Sequence, residues 1–246
     1  MSASPWGWPD DPGALEALQR ELASVADAAV AWEPGPLRID RQAVEQLGVA
    51  ATFAAFPRGE GGPGHAGQPV VAAAVLWRGG RAVREAVVRG QSGGPYAAGL
   101  LALRCGALLE VAVRGLEQRP DVLVVDATGR DHPRRAGLAL HLGACLDVPS
   151  VGVTNRALLA ACTEPGATRG SSSPLVLDGE LVGYAVCTRT GARPVLAHAA
   201  WRTTPQLARD LVLALSSRWR TPSPLRAART LARRERAASE VGTAGR

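Results

Sequence analysis

The segment from Pro120 to Asn155, PDVLVVDATGRDHPRRAGLALHLGACLDVPSVGVTN, restricts the possible folds more than any other part of the chain. Val122 to Val125 is a continuous apolar run between Pro120 and the Thr128-Gly129 turn, and such a run reads as a strand buried on both faces. Parallel sheets, covered by helices on both sides, bury strands in this way. The run ends on Asp126. Ligands gather outside the carboxyl ends of strands in open α/β sheets, so an acid there is placed for chemistry or metal binding. Aspartate is equally common as the cap of a following turn, and position alone leaves the two readings level.

Downstream, Pro133 to Leu146 predicts a helix opened by a basic turn, and Ser150 to Thr154 a short buried strand. Upstream, Leu15, Leu18, Leu22, Val25 and Ala29 have the spacing of an amphipathic helix over Pro12 to Trp32, followed by a turn at Glu33 to Pro36. Leu47 to Phe56 and Val70 to Trp77 read as strands around a Gly/Pro-rich loop, and Gly79-Gly80 sets up a hairpin to Ala82 to Val88. Helical spacing returns from Ala97 to Arg114. Residues 163 to 174 read as a mobile surface loop, and an Asp178-Gly179 hairpin joins Leu175 to Leu177 with Leu181 to Thr188. Helices are expected over Thr204 to Arg220 and Leu225 to Ala238, the second bearing Arg226, Arg229, Arg233, Arg234 and Arg236. Antiparallel strands followed by alternating strand and helix describe an α/β fold, a mixed sheet flanked by helices.

A chain of 246 residues can bury one substantial core. The expected organisation is a flexible segment over 1–14, a single domain over 15–236 and a disordered tail over 237–246. The start, MSASPWGWPDDPG, has neither a basic stretch nor an apolar one, and no apolar run is long enough to span a bilayer. A cytoplasmic protein with no membrane partner, and a monomer, is the expectation. Cys105, Cys145, Cys162 and Cys187 form no C-x-x-C pair, so neither a zinc site nor a redox motif is indicated. The net charge of +6 suits a polyanionic partner, DNA or RNA. All 28 basic residues are Arg, which closes the chain to any mechanism that needs a catalytic lysine.

PYAAGLLALR (Pro95 to Arg104), PDVLVVDATGRDHPRRAGLALHLG (Pro120 to Gly143), PSVGVTN (Pro149 to Asn155) and TPSPLRAARTLARR together resemble endonuclease V. The resemblance runs from about Leu15 to about Arg236. It implies a ribonuclease H-like fold and Mg²⁺-dependent cleavage of nucleic acid near inosine. It also implies a ligand set: an Asp in the first strand, a Glu in the helix after the P-Y turn, and the Asp of the V-D strand. Matched motif to motif, these fall at Ala50, Cys105 and Asp126. The family's lysine falls at Asn155 and its late histidine at Trp201, so Asp126 alone is kept.

Neighbours compensate poorly. Glu110 is five residues past Cys105, about 140° around a helix. Asp131 and His132 with Asp126 make at best a weak, mostly hydrated Mg²⁺ site. The recognition features are better kept. Tyr96 matches the family's strand-separating aromatic, with packing at a helix start as the bland alternative. Gly129 lies in the base-reading loop, where Ala127 adds a Cβ that crowds a flipped purine. His132, Arg134 and Arg135 at a helix start offer a phosphate site. His141 reads as a satisfied core histidine, and His198 has no evident partner. Three readings follow: a nucleic-acid-binding pseudonuclease, a weakly active Mg²⁺-dependent nuclease built on Asp126 and His132, and a protein-interaction module reusing the fold.

Overall fold

A computed structural model describes residues 5–34, 39–59 and 62–244. The chain opens with α1 (Pro12–Ala28) and α2 (Arg41–Gln46), followed by β1 (Val49–Ala55), β2 (Pro69–Arg78) and β3 (Arg81–Gln91). Next come α3 (Leu101–Arg114), β4 (Val122–Val125), α4 (Leu138–Leu146) and β5 (Ser150–Thr154). The last part holds β6 (Ala161–Cys162), β7 (Ser172–Leu177), β8 (Glu180–Val186), β9 (Val195–Ala199), α5 (Pro205–Leu215) and α6 (Ser223–Ala244).

One sheet carries all the strands in the order β3-β2-β1-β4-β5-β9-β8-β7-β6. β1, β4 and β5 are parallel to one another, while β1–β2 and β2–β3 are antiparallel hairpin pairs. The mixed sheet flanked by helices is the expected architecture. Beyond β5 the strands return to antiparallel pairing, because β9 runs against both β5 and β8. The parallel part is thus the centre, and every residue of β4 is buried there.

The two larger of three hydrophobic clusters follow from the alternation of side chains along the strands. Ala50, Leu123 and Val125 face α1, α3 and α4, packing against Leu15, Leu22, Leu109, Leu140 and Leu142. Val49, Ala51, Val122 and Val124 face α5 and α6, against Leu211, Leu225, Ala228 and Leu231. Alanines fill much of β1 and β2, from Ala50 and Ala51 to Ala72, Ala73 and Ala74, all fully buried. Small side chains let the covering helices approach the sheet closely.

Several sequence expectations are corrected. In the stretch expected as a flexible lead, Trp8 stacks on His141 with ring centroids 4.1 Å apart, and Asp11 caps α1 by accepting from Ala14 N at 2.8 Å. Residues 237–244 continue α6, so the expected tail is helical as far as Ala244. The HPRR stretch is a turn, and α4 starts only at Leu138 after an extended Gly137. The loop expected over 163–174 gives way to β7 at Ser172, and Arg169 ties it to the carbonyls of Leu213 and Ser216 at 2.9 and 2.8 Å. α5 ends at Leu215, five residues before the expected Arg220. β6, β9 and α2 lie outside the elements expected from sequence, and the turn expected at Glu33 to Pro36 falls partly outside the described residues.

Candidate nucleic-acid interface

Asp126 stands where the sheet positions it, one residue past the end of the central strand β4. The loop after it is packed tightly from three sides. A Cβ at Gly129 would collide with the carbonyl oxygen of Ala199, and one at Gly152 with that of Ala127. Gly137 N–H closes the loop by donating to Gly129 O at 2.8 Å. Gly129 is therefore held by close backbone packing that leaves no room for a side chain.

A cleft of about 440 Å³ opens at this end of the sheet, lined among others by Tyr96, Asp126, Thr128, His132, Asn155 and Arg156. Tyr96 is half-exposed at its edge and stands in a loop ahead of α3, its N–H donating to Pro63 O at 2.7 Å. Asn155 is also exposed, with its Oδ1 accepting from Arg220 at 2.8 Å. A smaller cavity of about 180 Å³ shares Asp126 with Thr52 and Cys105. Strand register explains Thr52: it lies level with Val125, whereas Ala50 lies level with Leu123, deeper in the sheet. The Thr52 hydroxyl is committed to Ala73 O at 2.9 Å. A larger cavity, about 550 Å³, lies between α2 and α6 and contains none of the residues matched to the family's reactive groups.

The electrostatics of Asp126 centre on α6. Arg229 donates to its Oδ2 at 3.3 Å. Burial pushes the Asp126 carboxyl up from its ordinary value, and the charges of Arg229 and then Arg233 pull it back. Cys105 is buried, and burial pushes its thiol up to about 12, so it is protonated at neutral pH and no thiolate ligand. Its Sγ lies 3.7 Å from Leu101 O. Glu110 points away, bonded to Trp8 Nε1 at 2.5 Å and to Arg114 at 2.6 Å.

The residues read as a phosphate site and as auxiliary ligands are spent internally. His132 is buried and bonds Gly99 O at 3.0 Å, and burial lowers it to about 4. Arg134 donates to Gln19 Oε1 at 2.7 Å and Gly99 O at 2.9 Å and pairs with Glu16 at 3.3 Å. Arg135 bonds Leu177 O at 3.0 Å and pairs with Asp178 and Glu180 at 3.1 and 3.3 Å. These three side chains hold α1, the Tyr96 loop and the β7–β8 hairpin to the turn. Asp131 is equally unavailable, since its carboxylate accepts from the amides of Leu158, Leu159 and Ala160 at 2.8–2.9 Å. Trp201 is buried in the core beside α4, its backbone N–H donating to Ser150 Oγ at 3.1 Å. His198, unpartnered in the sequence reading, bonds Thr154 Oγ1 at 2.8 Å.

Sequence reasoning missed Arg229 as the partner of Asp126, because the two are 103 residues apart and only the docking of α6 on the sheet joins them. Arg104 was missed as well. It is buried beside Cys105, stacks on Phe56 at 4.0 Å, and binds Gln68 Oε1 at 2.5 Å and Gly94 O at 3.3 Å, fixing the approach to Tyr96.

The sequence model of the endonuclease V family matches residues 49–230. Endonuclease V of Roseiflexus castenholzii is 34% identical over 227 residues, covering 92% of this chain and 93% of that protein. The crystal structure of endonuclease V from Streptomyces avermitilis superposes with a TM-score of 0.80 at 32% identity, covering 96% of this chain and 98% of that one. That of Ciona intestinalis endonuclease V, in complex with a 24mer DNA containing an inosine followed by a ribo-adenosine, superposes with a TM-score of 0.73. It is 18% identical, covers 92% of this chain and 98% of its own, and so speaks for the fold alone.

Proposed function

From the premise that the chain belongs to the endonuclease V family, we propose that it binds inosine-containing or branched DNA or RNA and does not cut it, acting as a pseudonuclease. The observation that carries this reading is the ion pair between Asp126 and Arg229. Divalent-metal cleavage of a phosphodiester needs hard oxygen ligands gathered around the reacting phosphate. At the matched positions this chain has a methyl group at Ala50, a protonated thiol at Cys105, and at Asp126 a carboxylate already facing a guanidinium. Among the described residues no group of three His, Cys, Asp or Glu side chains is gathered closely enough to hold a metal. The residues present therefore fit Mg²⁺ poorly, and no hydrolytic step is derived through it.

Binding is supported by other features. The cleft beside Asp126 has the size of a nucleotide-scale ligand site, an exposed aromatic at its edge in Tyr96, and the exposed cation Arg156 on its wall. The net charge of +6 favours a polyanion. The inosine-containing DNA held by the Ciona relative makes such an oligonucleotide the probe to use.

The test is one assay, binding and cutting of an inosine-containing single strand scored together across a titration of Mg²⁺ and then Mn²⁺. Expected is salt-sensitive binding weakened by Tyr96→Ala, with no product strand. Turnover that disappears in Asp126→Ala overturns the pseudonuclease reading in favour of a nuclease. Absence of both binding and cutting, with a specific protein partner recovered instead, overturns it in favour of an interaction module.

A further inference from the structure

Arg226, Arg229, Arg233 and Arg236 fall within one stripe of α6, at a spacing that keeps them on the same side of the helix. They are not an evenly solvated face. Arg236 is buried and donates to Phe56 O at 3.0 Å, and Arg226 lies over Trp219 at 4.3 Å. Arg229 and Arg233 both approach the ring of Phe53, at 5.2 and 5.6 Å. The ring lies in β1, the neighbour of β4, so both guanidinium groups come to the sheet end where Asp126 stands.

Positive charge here exceeds what Asp126 can neutralise. Proton affinity at Arg233 is lowered by burial and by three other guanidinium groups, Arg229, Arg58 and Arg236, against the single opposing influence of Asp126. The side chain of Arg229 is about a quarter exposed, yet its Nε is buried without a hydrogen-bond partner among the described residues. Arg58 and Arg233 are exposed. Crowded cations with spare donors, backed by an aromatic ring that limits their motion, are arranged to receive an anion with several acceptor oxygens.

We infer that Arg229 and Arg233 form a clamp for a backbone phosphate of a nucleic-acid strand, set against Asp126 where a metal-dependent relative needs its cation. The clamp deepens the binding reading and rests on it. Guanidinium groups bind phosphate through paired N–H donors without activating water, so this site holds a strand without breaking it. It also moves phosphate recognition from Arg134 and Arg135, which are engaged internally, to α6.

The test is the salt dependence of binding to an inosine-containing single-stranded DNA, read by fluorescence anisotropy. Complete loss of the clamped phosphate is expected to flatten the slope of log K against log salt by roughly 0.7. Arg233→Ala is an exposed change that leaves the core untouched, and it is expected to show part of that flattening. Arg229→Ala is expected to do the same, and Arg229→Lys to keep the slope while losing affinity, because an ammonium lacks the fork. Tight wild-type binding with unchanged slopes in both Arg233→Ala and Arg229→Ala overturns the clamp and leaves the binding reading standing. No binding by the wild type overturns both.

Discussion

Arg229 changes what Asp126 is. A carboxylate at the end of a central strand is open to a metal in one setting and, here, is countered by a fixed guanidinium 3.3 Å away. Cys105 shows a similar conversion, since a side chain that keeps its proton until about pH 12 behaves as a small apolar group. The thiols accordingly have a predictable order of reactivity. Cys162 is exposed, whereas Cys105, Cys145 and Cys187 are buried. Alkylation of the native protein near pH 8 is expected to modify Cys162 alone, with the other three reacting only after denaturation, as counted by mass spectrometry. Rapid labelling of Cys105 would mean that it has an accessible thiolate and that the site is chemically live.

At the scale of elements, α1 is the strut that shapes the cleft. Its buried Gln19 donates to Gly99 O at 3.2 Å and accepts from Arg134 at 2.7 Å, so one side chain joins the helix, the loop bearing Tyr96 and the HPRR turn. Gln19→Ala removes the acceptor of Arg134 Nε and one of the three side chains that bond Gly99 O. A loss of about 1–3 kcal/mol in urea unfolding is expected, with faster amide exchange in the Tyr96 loop; unchanged exchange there would show that the loop is held without α1. Little of this linkage was legible in the sequence. The apolar run of β4, the strand β5 and the two hairpin turns were legible because burial and turn chemistry are local signals. β9 was not, since its VLAHA segment carries a histidine whose partner, Thr154, belongs to another strand. The HPRR turn looked like a helix start because its arginines suggested solvent and phosphate, whereas contacts with α1 and with the β7–β8 hairpin fix them. The matched family positions were readable as substitutions, but the cation facing Asp126 depends on how α6 docks.

Across the whole molecule the buried histidines make stability depend on pH. Burial lowers His132 and His141 to about 4, and His198 is shifted in the same direction. Unfolded histidine titrates near 6.5, so between that pH and about 4 the unfolded chain binds more protons and stability falls with pH. Above about 6.5 the contribution is complete. The urea midpoint is expected to drop between pH 7 and 5, and His141→Gln to flatten that drop; a flat wild-type profile would place these imidazoles in solvent. The metal site offers the sharper global test. Introducing Ala50→Asp and Cys105→Glu together with Arg229→Ala supplies carboxylates and removes the competing cation. Ala50 is fully buried, so without metal the triple variant is expected to lose several kcal/mol to uncompensated charge. Mg²⁺ binding only the folded form stabilises by about 2.7 kcal/mol at a hundred times Kd. The variant should therefore melt higher in Mg²⁺ than in chelator, while the wild type melts at one temperature in both. A Mg²⁺-dependent rise in the wild type would mean that Asp126 releases Arg229 to take a cation, and the pseudonuclease reading would fall with it.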